Sequence, residues 1–336
     1  MGQGCCQKSI TEPYLIQPPE LMYPLTFKHS KTILIAPEDT QPQNIANIIF
    51  LEPSAYKDDT EVIFSKDAIL CKIKPQIENE FVRHTISKFG KYRSPQYPNN
   101  EKITTYPPYQ FNETNIIYVG GWKTGQRSGY GIQYWPSGSL YEGEWKNDKA
   151  NGHGRMIHQN GDMYEGFWQQ DQAEGQGIFY HNDGAYYQGE WKQDLQNGKG
   201  KEVWPDGAWY EGEFTKGKKE GRGKYIFTDG SYYEGEFVDN QIQGEGLYVW
   251  VDGRKYKGSW LQGKMNGKGE FIWPDGKRYV GKYKNGRKDS YGEMQFQDGS
   301  YYKGYWKEGN MHGAGTLKQQ DQEKIGEWFD GKFQRD

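Results

Sequence analysis

Residues 141–163 read YEGEWKNDKANGHGRMIHQNGDM, and this stretch decides the fold because its pattern returns along the chain every 23 residues. The tyrosine that opens it has counterparts at that spacing without an insertion or a deletion, namely Tyr118, Tyr164, Tyr187, Tyr210, Tyr233, Tyr256, Tyr279 and Tyr302. A period held this strictly outranks any single motif as a guide to architecture. It predicts an array in which each unit packs only against its neighbours.

The first half of each unit has the alternation of a β-strand. Tyr141, Gly143 and Trp145 are two residues apart, so they face the same side of the strand, while Glu142 and Glu144 face the other. Glycine inside a strand normally weakens it unless another group must approach the backbone closely. The repeated glycine therefore predicts a core in which aromatic rings lie on glycine backbone.

The second half of each unit reads as a turn and a returning strand. Asp148 and its counterparts are Gly, Asp or Asn in most units, and these residue types tolerate positive φ in a tight turn. Gly152 and Gly154 lie on the returning strand, and the unit closes with Asn-Gly or, later in the chain, Asp-Gly. Such dipeptides are the strongest short hairpin signal. Each unit is thus expected to be one β-hairpin.

The order Tyr-x-Gly-x-Trp, then Gly-x-Gly, then a closing Gly resembles the MORN (membrane occupation and recognition nexus) repeat. The resemblance covers residues 118–332, as nine full units and a partial cap that begins at Gly326. It implies an all-β fold, an elongated single-layer antiparallel β-meander of 23-residue hairpins. Ser290 and Gln322 depart from the pattern, at positions where glycine is expected.

Composition divides the chain near residue 118. All twelve Trp and 42 of the 45 Gly lie beyond this point, whereas twelve of the fifteen Pro and all three Cys precede it. We therefore divide the chain into a candidate lipid anchor (1–8), an irregular Pro-rich segment (9–117) and the repeat array (118–332). The apolar spacing at 77–89 predicts a short amphipathic helix in the Pro-rich segment. A strap folded along the array is favoured for this segment over an independent domain or a tether.

The N-terminus carries the most specific local motif, a candidate signal for lipid attachment. Gly2 is placed for myristoylation after removal of Met1, and the adjacent Cys5 and Cys6 are candidates for palmitoylation, although Cys6 replaces the usual Ser or Thr. One acyl chain gives only marginal membrane binding, and a second makes it stable. The pattern predicts a dually acylated protein, peripheral on the cytoplasmic face of a membrane.

Charge is distributed unevenly along the array. Residues 118–253 hold 13 Lys and Arg against 21 Asp and Glu, whereas residues 254–288 hold 11 against 2. A basic cluster of this kind suits anionic lipid headgroups or acidic segments of a protein. The candidate surface for an anionic partner comprises Arg254, Lys255, Lys257, Lys264, Lys268, Lys277, Arg278, Lys282, Lys284, Arg287 and Lys288. No nucleic-acid-binding motif accompanies the charge.

Catalytic chemistry is not indicated. The Gly-x-Gly tripeptides lack the spacing of a nucleotide-binding loop, and His158 with His181 read as substituted core aromatics. We therefore predict no catalytic residue, no cofactor and no metal site.

Two functions remain open on the sequence. The leading hypothesis is a scaffold that links a membrane to protein or cytoskeletal partners, and the alternative is a structural subunit of a ciliary axoneme, similar to radial-spoke-head proteins with this repeat. Whether the array binds lipid or protein is left open, and unpaired edge strands make self-association plausible.

Overall fold

The computed structural model describes residues 77–95, 103–111 and 114–334. The described chain divides after residue 205 into two compact units, which we call the N-terminal and C-terminal units. The candidate anchor residues Gly2, Cys5 and Cys6 lie outside the described residues.

The described part of the N-terminal unit contains one helix and ten strands. The helix α1 spans Glu80–Phe89, and the strands are β1 (Thr104–Thr105), β2 (Tyr109–Gln110), β3 (Ile117–Lys123), β4 (Gln126–Tyr134), β5 (Leu140–Lys146), β6 (Lys149–Ile157), β7 (Met163–Gln169), β8 (Gln172–Tyr180), β9 (Tyr186–Lys192) and β10 (Leu195–Val203). From β3 to β10 each strand pairs antiparallel with the next in chain order. The short strands β1 and β2 both pair with β3 and complete its outer edge.

The C-terminal unit is a second run of the same kind. Its strands are β11 (Trp209–Thr215), β12 (Lys218–Ile226), β13 (Tyr232–Val238), β14 (Gln241–Val249), β15 (Lys255–Leu261), β16 (Lys264–Ile272), β17 (Arg278–Lys284), β18 (Arg287–Gln295), β19 (Tyr301–Lys307), β20 (Asn310–Gln319), β21 (Gln322–Phe329) and β22 (Lys332–Phe333). Consecutive strands pair antiparallel throughout. The all-β antiparallel meander predicted from the repeat is confirmed.

The turn within each hairpin takes the backbone geometry that its residues predict. Asn147 and Asp148 have φ of 51° and 65°, and Gln170 and Asp171 repeat this pair of positive values. Two successive positive φ angles define the turn whose twist matches that of paired strands. The register between β5 and β6 shifts between Gly143 and Trp145, just before the turn, which places a β-bulge in the hairpin.

One face of the sheet, here called the aromatic face, holds the core. The hydroxyl of Tyr141 donates to the carbonyl of Glu144 at 3.0 Å, and its ring lies on a pair of glycines. A Cβ added to Gly154 would lie 2.3 Å from the Tyr141 hydroxyl oxygen, and one added to Gly143 would lie 2.4 Å from the Cα of Gly154. The predicted core of rings on glycine backbone is therefore present, and each tyrosine lies on glycines of its own hairpin.

The rings continue from one hairpin to the next. Tyr141 meets Trp145 of its own unit at 5.1 Å between centroids and Trp168 of the following unit at 5.3 Å, both edge-to-face. The indole N–H of Trp168 donates to the carbonyl of Gly154 at 3.1 Å. Such edge-to-face pairs contribute beyond the area that they bury, so each unit is stabilised mainly by its neighbours.

The opposite face, here called the charged face, bears the alternate side chains. Glu142 stands opposite Arg155 on β6, and Glu211 stands opposite Lys224 on β12. This face agrees with the charged surface that the sequence predicts, and it is where the candidate sites lie.

Candidate partner-binding surface

The helix α1 packs on the charged face of the N-terminal unit. Val82 is fully buried in a cluster with Leu140, Ile157 and Met163. Thr85 donates through its hydroxyl to the carbonyl of Gly161 at 2.9 Å. The helix begins three residues later than the sequence predicts because Asn79 caps it, accepting from the N–H groups of residues 81 and 82.

A strap formed by α1 and the residues after it lies against the sheet. The hydroxyl of Tyr92 is 2.8 Å from Nδ1 of His153, and the two rings stack at 5.8 Å. Arg155 donates to the carbonyl of Gly90 at 2.7 Å and pairs with Glu165 at 2.7 Å. We define this strap as residues 77–95. Burial lowers the pKa of His153, although the charge of Glu165 acts in the opposite direction.

The charged face of the C-terminal unit gathers most of the basic residues that the sequence singles out. Alternation with the buried Tyr256, Gly258 and Trp260 puts Lys255 and Lys257 on this face. The register of the neighbouring strands places six further residues on the same face, namely Lys264, Lys268, Arg278, Lys282, Lys284 and Arg287. Eight of the eleven candidate residues are thus brought onto one face.

The remaining three candidate basic residues lie elsewhere. Arg254 and Lys277 lie in closing turns, where they pair with Asp252 at 2.7 Å and Asp275 at 3.2 Å. Lys288 points to the aromatic face and is only 2% exposed. Its ammonium nitrogen lies 4.7 Å from the ring centroid of Trp306, among further rings. Lys288 therefore does not belong to the exposed surface.

Local pairing separates the eight surface cations into two groups. Arg278 pairs with Glu270, and Arg287 pairs with Glu308 at 2.5 Å. Within the described chain the other six have no carboxylate within ion-pair distance, and they are Lys255, Lys257, Lys264, Lys268, Lys282 and Lys284. Lys268 and Lys282 stand directly opposite each other on β16 and β17. Like charges in that position destabilise a sheet, so this surface favours an anionic partner.

Sequence reasoning missed the strap contacts and the buried lysines. Tyr92 gives no signal in a single sequence, because nothing in its surroundings repeats. Lys219 and Lys288 could have been found by position, since the equivalent residue is apolar in most other units, as in Met265 and Met311. Both lysines are at most 2% exposed.

Metal binding and membrane crossing find no structural support in the described residues. Among the residues described, no group of His, Cys, Asp and Glu side chains is arranged to hold a metal ion. His181 lies 3.7 Å from Asp162 and packs edge-on against Phe179, as expected of a substituted core aromatic. Nor does the described part of the chain contain a helix of the length and apolarity that a membrane crossing requires.

Comparison with known proteins identifies the repeat. The model of the family described as MORN repeat matches nine stretches, at residues 118–140, 141–163, 164–186, 187–209, 210–232, 233–253, 256–278, 279–301 and 302–323. A search of curated proteins finds no match.

Solved structures resemble the chain only distantly. The wild-type TCP10 domain of Danio rerio CPAP, in complex with a peptide of Danio rerio STIL, is 16% identical, with a TM-score of 0.35. That match covers 59% of this chain and 92% of the other. The TCP domain of SAS-4 (dCPAP) of Drosophila melanogaster, with a proline-rich motif of Ana2, is 14% identical over 57% of this chain and 98% of the other, with a TM-score of 0.30. Likenesses this distant carry no functional assignment.

Proposed function

Because this chain belongs to the MORN repeat family, we propose that it is a non-enzymatic scaffold, lipid-anchored to the cytoplasmic face of a membrane and linking that membrane to protein or cytoskeletal partners. The observation that carries the binding role is the opposed pair of exposed lysines, Lys268 and Lys282, at the centre of a face with four further unpaired lysines.

The two faces of the sheet have different roles, one in packing and one in exposing variable side chains, and this difference supports a scaffold. The repeated tyrosines, such as Tyr256 and Tyr279, are fully buried and are used in packing between hairpins. Side chains on the charged face are free of that constraint and differ from unit to unit. Variation on a rigid framework is how repeat proteins build extended binding surfaces.

The anchor is supported by the N-terminal motif. Gly2 accepts the first acyl chain, and Cys5 and Cys6 supply acceptors for a second, which is what stable attachment to a membrane requires. Basic side chains near an anionic leaflet add about 1 kcal/mol each. Lipid headgroups and acidic proteins therefore remain the two classes of anionic partner.

The test is fractionation of cells that express the full chain. We expect Gly2→Ala to move most of the protein from the membrane fraction to the soluble fraction, because palmitoylation follows the membrane contact made by the first chain. Gly4→Ala is the matched control and keeps the acceptor intact. An unchanged distribution of the Gly2→Ala variant would refute the anchor.

A second variant separates lipid contact from protein contact. Reversing Lys257, Lys268, Lys282 and Lys284 to Glu lowers membrane binding, in a salt-dependent manner, if the array touches anionic lipid. If the array faces a protein instead, the membrane fraction is unchanged and the protein neighbours are lost from proximity labelling. Persistence of the Gly2→Ala protein in cilia at wild-type level would favour the axonemal subunit over the anchored scaffold.

A further inference from the structure

A row of four exposed side chains crosses the charged face of the C-terminal unit. Lys268 on β16 is opposite Lys282 on β17, and Tyr291 on β18 is opposite Tyr305 on β19. Lys282 follows Gly281 on β17 and Tyr291 precedes Gly292 on β18, and these two glycines are paired. A β-bulge lies at this point, so the residue in register with Lys282 is Asp289, and Tyr291 lies between Asp289 and the glycine pair. We call these four residues the lysine–tyrosine row.

Both tyrosines of the row are unusually accessible. Tyr291 is 50% exposed and Tyr305 is 52% exposed, although the equivalent strand positions are charged or polar in most other units. Their rings meet edge-to-face, with centroids 5.8 Å apart and planes inclined at 82°. Exposed aromatic residues beside cations are typical of the centre of a protein-binding site.

The N-terminal unit shows what an equivalent pair does when it is covered. His153 and Phe167 are opposite each other on β6 and β7, six units before Tyr291 and Tyr305, and they also meet edge-to-face, at 5.3 Å. There the strap supplies Tyr92, which stacks on His153 and lies under the guanidinium of Arg155. The strap thus already places one aromatic ring at this position on the sheet.

The charges around the row decide the chemistry of its occupant. Asp289 is in register with Lys282 on β18, but within the described chain neither Lys268 nor Lys282 forms an ion pair with a carboxylate. Their opposition on β16 and β17 costs stability until an anion lies between them. With neighbouring strands about 4.8 Å apart, the two lysines lie about 5 and 10 Å from Tyr291 across the sheet. Carboxylates a few residues from an aromatic side chain span that distance in an extended peptide.

The adjacent row argues against a flat anionic surface. It contains Glu270 opposite Lys257, and Glu293 paired with Lys303 at 3.1 Å, so its charges cancel and it offers no net attraction to an anionic surface. A bilayer laid on the whole face would bring its headgroups against these carboxylates. A single extended chain along the lysine–tyrosine row avoids them.

From this geometry we infer that the lysine–tyrosine row is a docking site for an extended acidic segment of a partner protein, which inserts one aromatic side chain at Tyr291 and Tyr305 and places carboxylates on Lys268 and Lys282. The inference rests on the protein-binding part of the proposed function and is independent of the acyl anchor.

The experiment is a fluorescence anisotropy titration with the full chain carrying Gly2→Ala, so that acylation plays no part. The probe is a short fluorescein-labelled peptide with a central tyrosine flanked on each side by glutamates. Two further peptides, with Gln for Glu or Ser for Tyr, test the two halves of the recognition.

We expect the probe to bind, and both altered peptides to bind more weakly. The pair Lys268→Glu with Lys282→Glu should raise the dissociation constant by at least about tenfold, because attraction becomes repulsion at the centre of the site. Tyr291→Ser with Tyr305→Ser should weaken binding with only a small decrease in melting temperature, as expected for an exposed cross-strand pair, when the titration is made well below that temperature. The matched control reverses two exposed lysines of the N-terminal unit, Lys146 and Lys192, and should change the constant by less than about twofold.

Three outcomes overturn the inference. The first is absence of probe binding, and the second is an equal loss in the control pair, which would mean attraction by charge alone. The third is binding of phosphatidylserine vesicles that depends on Lys268 and Lys282 while the peptide does not bind, which would assign the row to a membrane. None of these outcomes bears on the proposed lipid anchor, which the Gly2→Ala fractionation tests separately.

Discussion

The hydroxyl of Tyr92 lies 2.8 Å from Nδ1 of His153, and this contact joins the strap to the repeat sheet at a side chain that titrates near neutral pH. Burial lowers the pKa of His153 below its usual value. The folded strap therefore prefers the neutral ring. The stabilisation is complete above the unfolded pKa of about 6.5 and is lost as the pH falls below that value.

We expect acidification to loosen the strap before the sheet melts. Hydrogen exchange over residues 80–89 should be faster at mildly acidic pH than at pH 7.5, relative to exchange in β5 to β8. Glu144 and Glu165 also face this site, and burial raises the pKa of Glu144, so its protonation opposes the effect. The variant His153→Phe isolates the histidine, because Phe keeps the ring but cannot titrate. If this variant retained the full pH dependence, the histidine would not be its source.

The turn residue Asp194 should destabilise the protein at neutral pH. Its Oδ1 accepts from the N–H of Ala173 at 2.7 Å, while Oδ2 is buried and has no hydrogen-bond partner within the described chain. Burial raises the pKa of Asp194 to about 6. A raised carboxyl pKa means that the charged form is disfavoured in the fold. The free energy of unfolding should therefore rise as the pH falls from about 6 toward 4.

Asp194→Asn should accordingly stabilise the protein at pH 7 by about 1–3 kcal/mol. Asn240 provides the precedent, since its side-chain oxygen accepts from the N–H of Lys219 at 2.8 Å in the same kind of turn. Denaturant melts at pH 7 and pH 4.5 should show a large difference between wild type and variant at the higher pH only. The reverse change, Asn240→Asp, should destabilise at pH 7, and equal stability of both variants with wild type would contradict the argument.

The ring-on-glycine core makes a quantitative prediction. A Cβ at Gly154 would lie 2.3 Å from the hydroxyl oxygen of Tyr141 and 2.6 Å from its Cζ, so the ring must shift. Gly154→Ala should cost about 1–3 kcal/mol. In a double-mutant cycle, Tyr141→Ala should relieve most of that cost because it removes the atoms that clash. Additive effects of the two substitutions would mean that the methyl group is accommodated in another way.

The sequence sufficed for the repeated part of the structure because each local signal agrees with its neighbours. The alternation of Tyr141, Gly143 and Trp145, the turn at Asp148 and the closing glycines all specify one hairpin, and nine copies in phase specify how hairpins follow one another. When local and long-range preferences agree in this way, a pattern determines a structure.

The candidate surface was harder to predict because net charge along the chain does not distinguish the two faces of a sheet. Lys282 and Lys288 are six residues apart, and the hairpin turn between them pairs Lys288 with Tyr283, which puts the two lysines on opposite faces. The strap contacts are harder still. Tyr92 and His153 are 61 residues apart, and no periodicity connects them.

The same two lysines give the last prediction, because a charge reversal should have opposite consequences on the two faces. Lys288 is 2% exposed, with its ammonium over the rings of Trp273, Tyr279 and Trp306 at 4.7–5.3 Å. Aromatic ring faces carry negative potential and attract a cation. Lys288→Glu would bury an anion against them and should cost about 3–5 kcal/mol, the range for a buried charge left without compensation.

Lys282→Glu should leave the melting temperature close to that of wild type, since its side chain is exposed and stands opposite Lys268. The substitution removes the repulsion from Lys268 and adds one from Asp289, its register partner on β18, so any shift should be small. Affinity for the acidic probe should show the opposite pattern. Lys282→Glu should weaken binding of the probe, whereas Lys288→Glu should reduce binding only to the extent that it unfolds the protein. Thermal melts and probe titrations on both variants, below the melting temperature of each, separate the two effects. A stable Lys288→Glu protein with impaired probe binding would place that side chain on the surface and contradict the assignment of faces.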